Sequence, residues 1–116
     1  MLANIFVAAV ALLHLYFMIL EMFLWDKAAG IKAFGLTPEF ARESKTLAAN
    51  QGLYNGFLVA GLVWGLLMGS QGTQVTIFFL VCVIVAGVFG CLTVGKKILY
   101  IQAMPAAIAL SLVLLR

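Results

Sequence analysis

The sequence predicts an all-α, polytopic membrane protein: a four-transmembrane-helix bundle with both termini on the non-cytoplasmic side. Three observations carry this. Hydrophobic residues make up 66% of the 116-residue chain and charged residues only 9%, where a soluble domain carries about 25% charge. Long apolar stretches recur at about 3–25, 46–69, 75–94 and 98–115, each sufficient to cross a hydrocarbon core. Six of the seven Lys and Arg residues lie in two of the connections between those stretches. A soluble helical protein fails on supply, because eleven charged side chains cannot solvate four such helices.

The first span, 3–25, begins at Asn4, a candidate cap, and ends at Trp25, whose indole suits the interface. It lacks a basic leader and exceeds the length of a secretory h-region, so it reads as a retained span. His14 and Glu21 interrupt it. Seven residues apart, they lie within about 20° around the helix and about 10 Å along it.

The connection 26–45 differs in kind. It holds three of the four acidic residues and four of the basic ones. Thr37-Pro38-Glu39 has the pattern of a helix start, with Thr37 as cap and Pro38 in the first position. A short helix from 38 is therefore expected to run into the second span. Ile31, Phe34, Leu36 and Phe40 suit the rest to a surface segment or a lid over helix ends.

The second span, 46–69, organises the chain. From Leu47 to Gly69 it carries no formal charge, yet it places Asn50, Gln51, Tyr54 and Asn55 among apolar residues. Amides in hydrocarbon must find partners, so the other helices are expected to supply them. Gly52, Gly56 and Ala60, then Gly61, Gly65 and Gly69, form small-residue ridges at four-residue spacing. Such ridges seat a helix against close neighbours or against a second copy of the chain, making a homo-oligomer the competing reading. The third span, 75–94, holds Cys82 and Cys91, read as small buried hydrophobes without disulfide or metal spacing. The fourth, 98–115, carries Tyr100, Gln102 and Pro105, with a bend expected near the proline.

Charge then sets orientation and depth. Lys27, Lys32, Arg42, Lys45, Lys96 and Lys97 mark the first and third connections as cytoplasmic, leaving Arg116 on the other side to snorkel. The net charge of +3 reads as a topology signal beside anionic lipid, not as a nucleic-acid signal. Measured from the cytoplasmic ends, Glu21, Asn50, Gln51 and Gln102 share a level about 6–8 Å deep, and His14 and Asn55 a deeper one near 14–16 Å. This coincidence predicts a polar pocket or a closed hydrogen-bond network in the cytoplasmic half.

Three uses of that cluster follow. In the first, Glu21 and His14 exchange protons with a small amphipathic or lipid-soluble molecule oriented by Asn50, Gln51, Tyr54, Asn55 and Gln102. In the second, the polar groups only lock the bundle: His14 bonds to Asn55, and Glu21 pairs with Lys27, Lys45 or Lys96. A small oligomeric transporter using the same groups is a third possibility. The expected partner in every case is membrane lipid of the cell (inner) membrane. No metal site, cofactor or nucleic acid is expected, because the phosphate-loop, nucleophile-elbow and nucleic-acid patterns are absent.

His14, Glu21 and Trp25, with Phe34-Gly35-Leu36, the run Asn50-Gln51-Gly52-Leu53-Tyr54-Asn55-Gly56-Phe57-Leu58, and Ala60-Gly61-Leu62, resemble a family of small bacterial and fungal membrane proteins catalogued as a domain of unknown function. The resemblance spans nearly the whole chain and implies four spans, with His14, Glu21, Asn50, Gln51, Tyr54 and Asn55 as motif residues. Arg42, Asn50 and Tyr54-Asn55 more faintly resemble the second helix of the membrane-associated eicosanoid and glutathione metabolism family. That likeness implies a trimeric enzyme but covers one helix, with Arg42 outside the span and Tyr54 at an acidic position.

Overall fold

The computed structural model describes all 116 residues, Met1–Arg116. It is all-helical: α1 (Leu2–Phe23), α2 (Ala28–Phe34), α3 (Pro38–Leu67), a 3-10 turn (Gly69–Gly72), α4 (Thr73–Thr93), α5 (Lys96–Ile98), a π-helical turn (Leu99–Ala103) and α6 (Met104–Leu115). Three stretches, Leu2–Phe23, Gly69–Thr93 and Lys96–Leu115, are long and apolar enough to cross a membrane. At 30 residues, α3 is the longest helix. The amides in its middle and the charges in its first turns lower its hydropathy.

Local chemistry explains the boundaries. Neither Gly nor Pro interrupts α1, and its Leu and Ala content favours helix. Gly35, in the left-handed region at φ 64°, ends α2 and donates its N–H to Ile31. Pro38 opens α3, and the Thr37 hydroxyl accepts the Phe40 N–H at 3.2 Å. The short helix from Pro38 and the apolar stretch that follows are one continuous α3. It stops at Leu67 because Gly69, at φ 62°, turns the chain. Gly69 is therefore a turn residue and not the third member of a packing ridge.

The chain forms two compact units, residues 13–57 and residues 1–12 with 58–116. In the unit of 13–57, α2 returns to the end of α1: Gly30 lies against the Leu24 and Trp25 backbone, and the Trp25 and Phe34 rings are 4.9 Å apart. The connection between α1 and α3 thus contains a helix that its apolar residues alone did not announce.

The other unit has a core of Val7, Val10, Leu62, Leu80, Val83 and Val113, filled in by Ala3, Ala11, Ala106 and Ala109. Small residues bring its helices together. A methyl group at Gly61 would meet the Phe79 ring, one at Gly65 the Thr76 hydroxyl, and one at Gly87 would come 2.7 Å from Ala103 Cβ. Gly61 and Gly65 of the small-residue ridges are thus packed within the chain, as the first reading of those ridges has it, while Ala60 is exposed.

Pro105 acts upstream of its own position. Its ring has no N–H and crowds the carbonyl four residues back. The helix widens there, with the Met104 N–H bonding to Leu99 across a π turn. Large apolar side chains such as Leu12, Phe78, Phe89 and Leu92 face outward, a surface suited to lipid rather than water.

Packing at Gly65 makes a sharp test. Gly65→Ala forces its methyl onto Thr76, and overpacking of this kind costs about 1–3 kcal/mol. Thermal unfolding in detergent should show the loss, whereas Ala60→Gly at an exposed position should cost no more than about 1 kcal/mol.

Candidate functional site

Both helices that carry the candidate residues bury a stripe of period seven. On α1 it runs Val7, His14, Glu21; on α3 it runs Ala41, Ala48, Asn55, Leu62. A repeat of seven keeps side chains on one face of a helix, so His14, Glu21 and Asn55 are buried by register. His14 is fully buried, and Glu21 and Asn55 are each 8% exposed.

Glycines bring the two helices together within the 13–57 unit. Gly52 and Gly56 lie three before and one after Asn55. A methyl at Gly52 would stand 2.6 Å from Met22 Cγ and 3.0 Å from Glu21 Cβ, and one at Gly56 would stand 3.0 Å from Met18 Sδ. Without those methyls α3 seats on α1, and Asn55 Nδ2 donates to Glu21 Oε1 at 2.5 Å. A carboxyl oxygen accepts this bond whether or not the group holds its proton. Asn55, which the sequence offers as a partner for His14, gives an amide hydrogen to Glu21. The His14 ring lies edge-on to Phe17, with centroids 5.6 Å apart.

The remaining candidates sit elsewhere. Asn50 is exposed and its amide donates back to Thr46 O at 3.0 Å on its own helix. Gln51 is exposed at the margin of the buried stripe. Tyr54 is exposed beside Phe57. At 100° per residue, Tyr54 and Asn50 lie about 100° and 140° around the helix from Asn55. A shared depth does not make a shared face. Gln102 is half-buried in the π turn of the other unit. Cavities of about 420 Å³ and 260 Å³ are lined by none of the seven candidates.

Of the three lysines offered as partners for Glu21, Lys27, Lys45 and Lys96, Lys45 is engaged about one turn further on. Lys45 pairs with Asp26 at 3.2 Å, and the neighbouring Trp25 indole donates to Ser44 Oγ at 2.9 Å. Ser44 in turn donates to Phe40 O at 2.6 Å. Sequence alone does not announce this seam; its only linear trace is the adjacent pairs Trp25-Asp26 and Ser44-Lys45. The hydrogen bond from Lys45 holds the Asp26 carboxyl below the usual aspartate range; burial opposes it, and the charges of Lys45 and Lys27 assist.

Outward apolar helices joined by a buried carboxyl–amide pair define an all-α, multi-pass integral membrane protein. The chain belongs to DUF1304, a family described as proteins of unknown function, whose model matches residues 8–114. It is 33% identical over 103 residues to the uncharacterized protein YpaA of Lactococcus lactis subsp. lactis (strain IL1403), covering 87% of each chain. No solved structure matches it. The fainter likeness to the eicosanoid and glutathione enzymes rests on Arg42, Asn50 and Tyr54, all exposed, and on Asn55, which is bonded to Glu21.

Asp26 supplies a pH prediction. A depressed carboxyl value contributes stability that is present above the unfolded pKa and is lost as pH falls through the lower folded one. The protection of α2 and the start of α3 against hydrogen exchange, taken relative to the intrinsic rate at each pH, should therefore stay constant from neutral pH to about pH 4 and fall below it. Lys45→Met should remove that step.

Proposed function

We propose that this protein is a structural or interaction component of a membrane, and that its buried polar pair holds α1 against α3. The observation that carries the reading is the Asn55–Glu21 hydrogen bond, closed between two buried side chains that line neither the 420 Å³ nor the 260 Å³ cavity. An amide and a carboxyl in an apolar medium each need a partner. Together they favour one register of the two helices over others.

The membrane arrangement follows from the same elements. The part of α3 beyond Lys45 serves as a fourth span, and the charges between Asp26 and Lys45 keep that connection in the cytoplasm. Both termini then lie on the outer side of the cell (inner) membrane. Fusion of a phosphatase at Arg116 should give an active reporter and fusion of a cytoplasmic fluorophore there a dark one. The reverse pattern overturns the orientation.

A double-mutant cycle separates locking from ligand binding. Glu21→Leu and Asn55→Leu should each destabilise the detergent-solubilised protein by about 1–3 kcal/mol, since each leaves a buried polar group without its partner. The double variant should recover most of that loss, because two apolar partners need no bond. A double variant that is stable but loses a co-purifying amphiphile in mass spectrometry would return Glu21 and Asn55 to a binding site.

A further inference from the structure

The unit formed by residues 1–12 and 58–116 has an unusual charge balance. The four acidic residues, Glu21, Asp26, Glu39 and Glu43, all belong to the other unit, while this one contains Lys96, Lys97 and Arg116. Arg116 therefore has no acidic side chain in its own unit. It lines a half-open cavity of about 420 Å³ together with Asn4, Ser70, Thr73 and Thr76.

The cavity is preorganised for an anion. Arg116 Nη1 donates to Asn4 Oδ1 at 2.5 Å and Nη2 to Thr73 Oγ1 at 3.4 Å, so neutral acceptors from α1 and α4 orient a guanidinium that keeps its full charge. Ser70, Thr73 and Thr76 recur every three residues along the start of the Gly69–Thr93 helical stretch. Thr76 is 2% exposed. Two helix starts, at Leu2 and Gly69, meet two helix ends, at Leu67 and Leu115, around this cavity. Their dipoles largely offset, and Arg116 carries the one charged side chain of the lining.

We propose that this cavity binds a phosphate group, with Arg116 forming paired charged hydrogen bonds to it and the Ser70 hydroxyl donating a further one, while Thr73, whose own hydroxyl donates to Ser70 O at 3.2 Å, holds the guanidinium in place. The cavity lies at the ends of apolar helices, the level of a lipid headgroup, so the phosphate comes either from a phospholipid or from a free phosphate ester. This site is independent of the Glu21–Asn55 pair and of its role.

The test uses the full chain in nonionic detergent, with phosphatidylglycerol and inorganic phosphate as probes and native mass spectrometry as the readout. Wild type should retain phosphatidylglycerol or phosphate, and Arg116→Gln should weaken that retention about tenfold while leaving the helical circular dichroism unchanged. Thr73→Val should weaken it less, and Arg116→Lys should restore part of it. Retained lipid that excess inorganic phosphate does not displace assigns the headgroup; binding of phosphate alone with displacement of lipid assigns a free ester. Equal retention by wild type and Arg116→Gln overturns the proposal. So does an equal loss in Lys97→Gln, which removes one charge from a residue outside the cavity.

Discussion

A polar side chain inside an apolar protein must be answered by another, and here Asn55 answers Glu21. Much of the 13–57 unit is arranged to allow that bond. Gly52 and Gly56 strip α3 of the methyls that would strike Met22, Glu21 and Met18. The period-seven stripes then turn Glu21 and Asn55 toward each other. A helix pair packed by small residues gains dispersion along its length but tolerates sliding; one buried polar bond favours a single register.

Beyond that contact the same unit is finished by ordinary aqueous chemistry. Trp25 bonds to Ser44, Asp26 pairs with Lys45, and α2 lays Phe34 against the Trp25 ring. An apolar-phase hydrogen bond and a charged seam follow one another within a turn of α1. Each suits its own medium: the amide pair carries no requirement for water, and the Lys45 side chain is 56% exposed.

The unit of residues 1–12 and 58–116 follows a different rule. Its core is Val, Leu and Ala, and its helices approach through Gly61, Gly65 and Gly87. The π turn before Pro105 keeps that approach possible, because the wider turn absorbs a missing N–H and places Ala103 against Gly87. Acidic side chains are absent from it, which leaves Arg116 held by an amide and a hydroxyl instead of a carboxylate.

Composition and spacing by themselves determined the all-helical membrane class, the Thr37–Pro38 helix start, and the common face of His14 and Glu21. These depend on local propensity and on a 100° step per residue, both readable along a single helix. Pairing was not readable in that way. Depth along the axis grouped Asn50 and Gln51 with Glu21, but azimuth sends Asn50 outward and leaves Gln51 at the margin of the buried stripe, and only the packing of one helix on another reveals which face is inner. The meeting of Asn55 with Glu21, and of Lys45 with Asp26, likewise belonged to tertiary structure. Hydrogen bonds and ion pairs form between neighbours in space, and a linear pattern lists the donors and acceptors without saying which will meet.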